Sequence, residues 1–394
     1  MIEGATTRES VSGSGVSGPA VRRVGMVGAG QLARMTQQAA IALGIELVVL
    51  AADENDPAVL AGAGFEIGSP AEPGDLRRLA ARCDVLTFDH EQVEPRLLEE
   101  LEAEGVRLAP GASAKLHAQD KLHARRSLAQ HGFPMPDFAE ASHIGAFDEF
   151  AAQHGWPVVA KAPRGGYDGR GVWMLESRDE AVELLVGAAG PFLLEPMLEI
   201  DLEIAVMVAR STGGDAVAYP VVETVQQDAM CREVIAPAPV SAELARSARQ
   251  MALDISDRIA ATGVMAVEFF VTPGGLLVNE LALRPHNSGH YSIEGCVTSQ
   301  FEQHLRAVTG LPLGETSLTA PAVATVNVVG GDTEEGPETR LDAGLAVPGA
   351  HIHLYGKQTR PGRKLGHVTV CGDDAAAVAG AARSAASALE GSNQ

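Results

Sequence analysis

Apolar runs and amphipathic stretches alternate regularly over the first third of the chain. Runs typical of short buried strands lie at residues 21–27, 46–50, 85–88 and 106–108, and helical patterns separate them. Strands that alternate with helices predict a parallel sheet with right-handed helical crossovers. Residues 21–118 are therefore predicted to form an α/β domain of the doubly wound type.

The pattern changes after residue 118, because strands now follow one another with fewer helices between them. A helix is expected to end near residue 131. After it we expect a strand at 158–161, further strands within 192–210 and at 217–223, a helix at 242–261 and a hairpin at 267–280. From about residue 311, short strands are expected at 322–329, 351–355 and 367–370, before an alanine-rich helix at 374–389. This mixture predicts an α+β region over residues 119–310 and a small β-rich domain over residues 311–389.

The composition of the chain limits the classes of molecule that it can bind. It has 394 residues, of which 46% are hydrophobic and 21% charged, as in ordinary globular proteins. The net charge of −21 opposes binding to nucleic acid or to an anionic membrane. The sequence contains no apolar run of about 18 residues, so no membrane span is predicted. An anionic substrate would therefore need a local cluster of basic side chains.

The first 20 residues and the cysteines indicate the cellular compartment of the protein. Residues 1–20 are rich in serine, glycine and threonine without an apolar segment, which predicts a disordered tail and not a signal peptide. The four cysteines show no Cys-x-x-Cys spacing: Cys83, Cys231, Cys296 and Cys371. They are interpreted as reduced thiols of a cytoplasmic protein.

The densest group of reactive side chains lies at residues 278–290, where carboxylate, guanidinium, amide and imidazole groups occur together. Just upstream, a Thr-Pro-Gly-Gly turn joins two β-rich runs and predicts a hairpin. If this hairpin is centred on Gly274, Glu268 and Glu280 are cross-strand neighbours with Cβ atoms about 5 Å apart. A hard cation such as Mg²⁺, which binds carboxylates and phosphates, would bridge them. The alternative is an exposed strand face in another register with two incidental acids.

A glycine-rich loop follows the strand at 158–161. Lys161 ends this strand, and four glycines then occur within residues 165–171. Backbone N–H groups in such a loop can surround phosphates, and the lysine adds a point charge. A plain flexible hairpin is the alternative, although Tyr167, Asp168 and Arg170 are unusual residues for a linker.

Two other segments allow two interpretations each. The turn Gly28-Ala-Gly30 before a helix, with Asp53 downstream, resembles a dinucleotide fingerprint, but many doubly wound domains share such a turn. Residues 357–364 place four basic side chains close together around a Pro-Gly turn, which favours an anion site over a solvated basic loop. The strand-end acids Glu195 and Glu203 could accept from an adenine and a ribose, or simply be solvated.

Together these segments resemble the N5-carboxyaminoimidazole ribonucleotide synthases, which are the ATPase-subunit type of phosphoribosylaminoimidazole carboxylase in the ATP-grasp superfamily. The resemblance covers about residues 22–372 and is carried by these residues: Gly30-Gln31-Leu-x-Arg34-Met35, Lys161 with the 165–171 loop, Glu268 with Glu280, Arg-x-His-Asn-Ser-Gly-His at 284–290, and Arg-Pro-Gly-Arg-Lys-x-Gly-His at 360–367. It implies an ATP-grasp fold with a pre-ATP-grasp domain over residues 21–118. It also implies an ATP-grasp domain over 119–310, with a lid subdomain at about 119–195.

The resemblance implies carboxylation of 5-aminoimidazole ribonucleotide with ATP and bicarbonate, through carboxyphosphate, in de novo purine synthesis. The implied metal is Mg²⁺, which Mn²⁺ could replace, and the implied assembly is a homodimer in the cytoplasm. The implied site residues are Lys121, Lys161, Gly165, Gly166, Gly169, Glu195, Glu203 and Asn279 for ATP; Glu268 and Glu280 for the metal; Gln31, Glu91, Lys357, Arg363 and Lys364 for the ribonucleotide; and Tyr167, Asp168, Arg170, Arg284, His286 and Asn287 for the reaction.

Three alternatives remain from the sequence. Another ATP-grasp ligase, such as a formate-using glycinamide ribonucleotide transformylase, would share the first half-reaction and differ in its substrates. An NAD-dependent oxidoreductase would explain the turn at Gly28 but neither the paired glutamates nor the basic loop. A nucleotide-binding regulator without activity would not need the complete set of charged site residues.

Overall fold

The computed structural model describes residues 21–166, 170–188, 190–332 and 335–391. Its N-terminal part is the predicted α/β unit, and these are its strands and helices: β1 Arg23–Val27, α1 Gln31–Leu43, β2 Glu46–Ala51, α2 Pro57–Leu60, β3 Gly64–Ile67, α3 Pro73–Ala81, β4 Val85–Phe88, α4 Pro95–Ala103, α5 Ala112–Gln119 and α6 Lys121–Gln130. The strands pair in parallel in the order β3-β2-β1-β4. The predicted parallel sheet is confirmed.

Burial on both faces explains the sequence of this sheet. β1 and β2 are continuous apolar runs whose residues after the first are buried, as expected for parallel strands covered by helices. The strand predicted at 106–108 is wrong, because only Leu108 forms an isolated bridge, to Leu86 of β4. The sequence pattern also missed β3, which lies at the sheet edge and whose positions alternate between half-buried and exposed.

The next segment forms a small antiparallel sheet with two helices. Its elements are β5 Ala139–Ala141, α7 Ile144–His154, β6 Val158–Lys161, β7 Val172–Leu175, α8 Arg178–Gly187 and β8 Phe192–Pro196. The strand order is β5-β8-β6-β7. In the antiparallel pairing of β6 and β8, Glu195 is opposite Val159, two residues before Lys161, so Glu195 and Lys161 project from the same face of the sheet.

Within the described ranges, one large sheet holds the remaining nine strands. Its elements, in chain order, are β9 Leu202–Arg210, β10 Ala216–Ala218, β11 Val222–Gln227, β12 Met230–Ala236, α9 Ala242–Arg258, β13 Gly263–Thr272, β14 Gly275–Ala282, α10 Ser292–Gly295, α11 Gln300–Thr309, β15 Ala322–Val329, α12 Leu341–Leu345, β16 His351–Leu354, β17 Lys364–Gly372 and α13 Ala375–Glu390. Two short 3-10 helices are also present, at Asn287–Gly289 and Pro337–Arg340.

The order of this sheet is β14-β13-β9-β11-β12-β15-β17-β16, with β10 beside β9. β12 pairs with β15, so the sheet continues through the region of residue 311, where a separate β-rich domain was predicted. The domain boundaries themselves stay predictions. The strand predicted at 217–223 is wrong as one unit, since Tyr219 and Pro220 interrupt it, and the pattern missed β12.

Helix α9 covers one face of the large sheet. Ser241 caps its first turn by accepting from the backbone N–H of Leu244. Ala248, Ala252 and Ile255 recur at helical spacing on its buried side and pack into the main apolar cluster with β9 and β13. In the described part of the chain, no helix is long and apolar enough to cross a membrane.

His304 joins the N-terminal parallel sheet to the nine-stranded sheet through buried hydrogen bonds. Its Nδ1 accepts from the backbone N–H of Val264 in β13 at 3.1 Å, so Nε2 carries the proton and faces Thr87 Oγ1 of β4 at 2.8 Å. The ring is fully buried, and burial lowers the pKa of His304 to about 4. Gly263 fits beside it, because a Cβ there would lie 3.0 Å from the ring. The neutral imidazole is thus part of the contact between sheets.

Acid is therefore expected to destabilise the protein through His304. Its pKa in the folded state is below the ordinary 6.5 of the unfolded chain, so the stabilisation is complete above pH 6.5 and is lost as the pH falls towards 4. At pH 5 the loss is about 2 kcal/mol from this residue alone. Urea unfolding at pH 7.5 and pH 5 measures it. In His304→Gln, the difference in the free energy of unfolding between pH 7.5 and pH 5 should be smaller by this amount. An unchanged difference would contradict the assignment.

Candidate active site

The two acidic residues predicted to bind metal face each other across the β13–β14 hairpin. Thr272 pairs with Gly275, so the hairpin turns through two residues. Continued without interruption, this register would place Glu268 opposite Asn279. A bulge beside Glu268 shifts the register by one residue and brings it opposite Glu280 instead. The predicted pairing is confirmed, whereas the symmetrical hairpin from which it was predicted is wrong at the tip.

Lys121, at the start of α6, neutralises part of this pair. Its ammonium forms an ion pair with Glu280, whose side chain is 44% exposed. Burial alone would raise the pKa of Glu280, but the attraction and hydrogen bond of Lys121 lower it. Burial, and then repulsion from Glu280 and Glu203, raises the pKa of Glu268. One carboxylate is therefore firmly ionised, and the other needs a further cation to stay ionised.

These two carboxylates fit Mg²⁺ bound together with a nucleotide. Among the residues that the structure describes, no group of three or more His, Cys, Asp or Glu side chains forms a metal cage of protein ligands alone. Mg²⁺ usually takes one or two carboxylates and completes its coordination with phosphates and water. Glu268 and Glu280 supply such donors, and a divalent cation between them would remove their repulsion.

Lys161 is held by a buried carboxylate. Its Nζ lies 2.6 Å from Glu195 Oε2, and Arg125 Nε donates to Glu195 Oε1 at 2.6 Å. Glu195 and Arg125 are only 3% and 4% exposed. Glu195 was expected to accept from the adenine or ribose of ATP, but both of its oxygens are engaged by cations. It therefore fixes Lys161, while Glu203 accepts a hydrogen bond from Gln226 Nε2 at 3.2 Å.

The glycine-rich loop begins directly after β6. The backbone N–H of Ala162 donates to the carbonyl of Gly171 at 2.8 Å and closes its base. Gly165 has a φ of 77°, and a Cβ at Gly166 would approach the carbonyl oxygen of Arg170 to 2.6 Å, so both positions require glycine. Three predicted site residues lie outside the described part of the chain, and their roles stay predictions: Tyr167, Asp168 and Gly169.

The turn at Gly28 is filled by a side chain from the neighbouring strand. β1 and β4 are adjacent and parallel, so their carboxyl ends meet. Asp89 accepts from the backbone N–H of Gly30 at 2.8 Å, and a Cβ on Gly28 would lie 1.8 Å from its other oxygen. Asp53 accepts from the backbone and side chain of Asn55 at 2.7 and 2.6 Å. Both features of the predicted dinucleotide fingerprint are thus engaged within the protein.

Arg284 connects the 284–290 loop to the N-terminal sheet. Its Nε donates to Glu91 Oε2 at 2.9 Å. Glu91 Oε1 and Asn287 Nδ2 are buried and have no hydrogen-bond partner among the described residues. Buried polar groups in native proteins are nearly always paired. A polar ligand bound between the loop and the N-terminal sheet would supply partners for these two atoms.

Gln300, at the start of α11, holds the same loop in place. Its amide accepts from the backbone N–H of His286 and donates to the carbonyl of His286, both at 2.8 Å. Nδ1 of His286 lies 2.9 Å from Ser288 Oγ, which leaves Nε2 at 3.6 Å from Glu268. Burial, and then the charge of Arg284, lowers the pKa of His286 to about 4. A neutral imidazole therefore stands beside the carboxylate pair.

The basic loop reaches the site at two points. Lys357 Nζ forms a hydrogen bond with the side chain of Gln31 at the start of α1. Lys364 is close enough to Glu268 to lower the pKa of its carboxyl. Arg363 donates to a carbonyl of its own loop at 3.1 Å. The structure thus brings Gln31, Lys357 and Lys364 to the edge of the same site.

Three buried site residues were not predicted from the sequence: Lys115, Arg125 and Gln300. Lys115 and Arg125 occupy the buried faces of α5 and α6, where neighbouring positions of the same face are also buried. A lysine or arginine on an otherwise buried helix face was the sequence signal that could have identified them. Gln300 has no comparable signal, because its role depends on a loop fourteen positions away in sequence.

Comparison with known proteins agrees with this architecture. Three family models match successive parts of the chain: a ribonucleotide synthetase preATP-grasp domain at residues 21–119, an ATP-grasp domain at 126–301, and a phosphoribosylaminoimidazole carboxylase C-terminal domain at 324–381. The fold is that of an ATP-grasp enzyme.

Relatives define the group more narrowly. N5-carboxyaminoimidazole ribonucleotide synthase of Mycobacterium tuberculosis is 49% identical over 364 residues, covering 90% of this chain and 84% of the relative. The enzyme of Synechococcus elongatus is 41% identical, covering 89% of each chain. This chain belongs to the family of N5-carboxyaminoimidazole ribonucleotide synthases, which are ATP-dependent ligases.

Solved structures show the same fold. The synthase of Aspergillus clavatus, in complex with ADP and 5-aminoimidazole ribonucleotide, has a TM-score of 0.86 and 33% identity, covering 94% of this chain and 98% of that one. The synthetase of Thermotoga maritima has a TM-score of 0.82 and 34% identity, covering 93% and 98%. The NAD-dependent alternative and the formate-using ligase are therefore set aside.

Proposed function

We propose that this chain uses ATP and bicarbonate to carboxylate the exocyclic amine of 5-aminoimidazole ribonucleotide, giving N5-carboxyaminoimidazole ribonucleotide in de novo purine synthesis. One observation carries the proposal. The Glu268–Glu280 pair adjoins a nucleotide side with Lys121 and a carboxyl-transfer side with His286. Family membership supplies the identity of the substrates.

On the nucleotide side, the chain would neutralise and fix the phosphates. Lys121 and Lys161 would contact phosphate oxygens, with Arg125 and Glu195 holding Lys161 in position. The remaining proposed ATP contacts are the backbone of the glycine-rich loop, with Gly165, Gly166 and Gly169, and the side chains of Glu203 and Asn279. When bound by Glu268 and Glu280, Mg²⁺ would polarise the terminal phosphate and offset its charge.

The reaction would proceed in two transfers. A bicarbonate oxygen attacks the terminal phosphorus of ATP, the bond to ADP breaks, and carboxyphosphate forms. Carboxyphosphate then releases phosphate, and the substrate amine bonds to the carboxyl carbon and loses one proton. Arg284 would stabilise negative charge on the transferred carboxyl group, and neutral His286 could accept a proton at Nε2. Further proposed contacts are Asn287, Tyr167, Asp168 and Arg170.

The ribonucleotide would lie between the N-terminal sheet and the basic loop. Glu91 Oε1, which is buried without a partner among the described residues, would accept from the substrate amine or ring. The 5′-phosphate would meet Lys357, Arg363 and Lys364, with Gln31 beside Lys357. This arrangement supplies a local positive region in a chain whose net charge is −21.

The test is ADP release measured with and without each substrate. We expect ADP formation to require 5-aminoimidazole ribonucleotide and to fall sharply in buffer depleted of carbon dioxide and bicarbonate. Addition of bicarbonate should restore it. Turnover with formate and glycinamide ribonucleotide in place of these substrates would refute the proposed function.

We further propose that the protein acts in the cytoplasm as a homodimer. The four cysteines are free, and burial raises the pKa of Cys83 and Cys296 to about 12, which suits unreactive thiols in a reducing compartment. The dimer rests on the family resemblance alone. Size-exclusion chromatography coupled to light scattering would determine the mass of the protein in solution.

A further inference from the structure

The distribution of lysine is unusual in this chain. It contains 25 arginines but only five lysines. Four of the lysines are those assigned above: Lys121 and Lys161 to the phosphates, and Lys357 and Lys364 to the ribonucleotide. The fifth, Lys115, has no role in the proposed function. Since arginine supplies nearly all other positive charge, a lysine in this region suggests a need for a compact ammonium group.

Lys115 is the most buried of the five. It lies on the inner face of α5 with no exposed surface. Its Nζ donates to the carbonyl of His90 at 2.8 Å and lies 4.3 Å from the centroid of the Phe88 ring. Both contacts are with the end of β4 and the segment that follows it. Lys115 thus holds the segment that carries Asp89 and Glu91.

Charge balance gives this contact a further consequence. Asp89 and Glu91 lie two positions apart with side chains 7% and 24% exposed, and Arg284 forms its ion pair with Glu91 at 2.9 Å, while burial raises the pKa of Asp89. Burial lowers the pKa of His90, so that ring contributes no charge at neutral pH. One guanidinium cannot balance both acids when they are ionised, and an uncompensated buried charge is costly. Lys115 supplies the second positive charge, and it lowers the pKa of Glu91 after Arg284 does.

We propose that Lys115 is a positioning residue of the ribonucleotide site, whose ammonium fixes the 89–91 segment and keeps Glu91 ionised against Arg284. This inference rests on the proposed function, which places Glu91 and Arg284 against the substrate. Lys115 touches no substrate and acts through Glu91. The compact ammonium group is suited to this place because it must fit against the Phe88 ring and a carbonyl without solvent.

Lys115→Met tests the proposal, since methionine retains most of the side-chain length and removes the charge. We expect the KM for 5-aminoimidazole ribonucleotide to rise at least tenfold, while the KM for ATP changes less than twofold. The melting temperature is expected to fall, because the buried acids lose a compensating charge, so both KM values are measured well below the melting temperature of the variant. Equal increases in both KM values, or none, would overturn the proposal.

A double-mutant comparison shows whether Lys115 acts through Glu91. In a Glu91→Gln background, Lys115→Met should raise the ribonucleotide KM less than about threefold. The same increase in both backgrounds would contradict the proposed route. Wild-type protein that forms no ADP with the ribonucleotide would refute the proposed function itself. A normal wild type with an equally normal Lys115→Met variant would refute only the role of Lys115.

Wild-type protein provides a measurement that does not depend on folding of a variant. Burial lowers the pKa of Lys115 to about 8, with Glu91, Asp89 and Arg284 as its charged neighbours and His90 beside it. The kcat/KM for the ribonucleotide should therefore fall above about pH 8, while that for ATP should not. Lys115→Met or Lys115→Gln should lack this decline. A flat wild-type profile for the ribonucleotide to pH 9.5 would count against the proposal.

Discussion

Glu280→Gln is expected to lower ADP formation by about 10²–10³-fold. The substitution retains the shape of the side chain but removes the charge that pairs with Lys121 and that would bind Mg²⁺. Loss of one such contact in the transition state costs roughly 3–4 kcal/mol, which corresponds to this factor. Steady-state kinetics at several Mg²⁺ concentrations would measure the effect, and the concentration for half-maximal rate should rise.

The matched control is Glu99→Gln, an exposed glutamate on α4. It should leave the rate and the Mg²⁺ dependence unchanged. Thermal melting of both variants should remain near that of the wild type, because Glu280 lies at the open side of the site. Near-wild-type ADP formation by Glu280→Gln would exclude this residue as a metal ligand.

Arg363→Ala is expected to raise the KM for 5-aminoimidazole ribonucleotide at least tenfold and to leave the KM for ATP little changed. A 5′-phosphate carries almost two negative charges, and a guanidinium can contact two of its oxygens at once. Partial burial, and then the neighbouring guanidinium of Arg360, lower the pKa of Arg363. Kinetics with the ribonucleotide and with its riboside, which lacks the phosphate, would measure the contribution.

Arg246→Ala, an exposed arginine on α9, is the control for general loss of positive charge. It should change neither KM. The wild type should discriminate strongly against the riboside, and Arg363→Ala should discriminate less. If Arg363→Ala instead raises the KM for ATP and leaves the KM for the ribonucleotide unchanged, the basic loop belongs to the ATP site.

The sequence was sufficient where chemistry and local pattern coincide. Alternating strands and helices predicted the parallel sheet, and the Thr-Pro-Gly-Gly turn predicted the hairpin that carries Glu268 and Glu280. Lys161 at a strand end, before the glycine-rich loop, was also placed correctly. In these cases short-range backbone geometry decides where the side chain lies.

The rest depended on contacts that no local pattern encodes. The bulge beside Glu268 compensates for a two-residue turn, and periodicity does not reveal such a compensation. Glu195 carries a plausible ligand side chain, but Arg125 from a distant helix decides that it faces a cation. Continuity of the large sheet past residue 311 likewise requires pairing between β12 and β15, which lie far apart in sequence.

The scarcity of lysine makes the site chemically distinct from the surface. None of the five lysines is exposed, whereas many arginines are. Reagents that acylate or reductively methylate primary amines react poorly with guanidinium groups. Apart from the amino terminus of the chain, such reagents would find their targets only among lysines that we propose to contact or support the bound ligands. The extent of amine labelling would therefore report directly on how much of the protein holds its substrates.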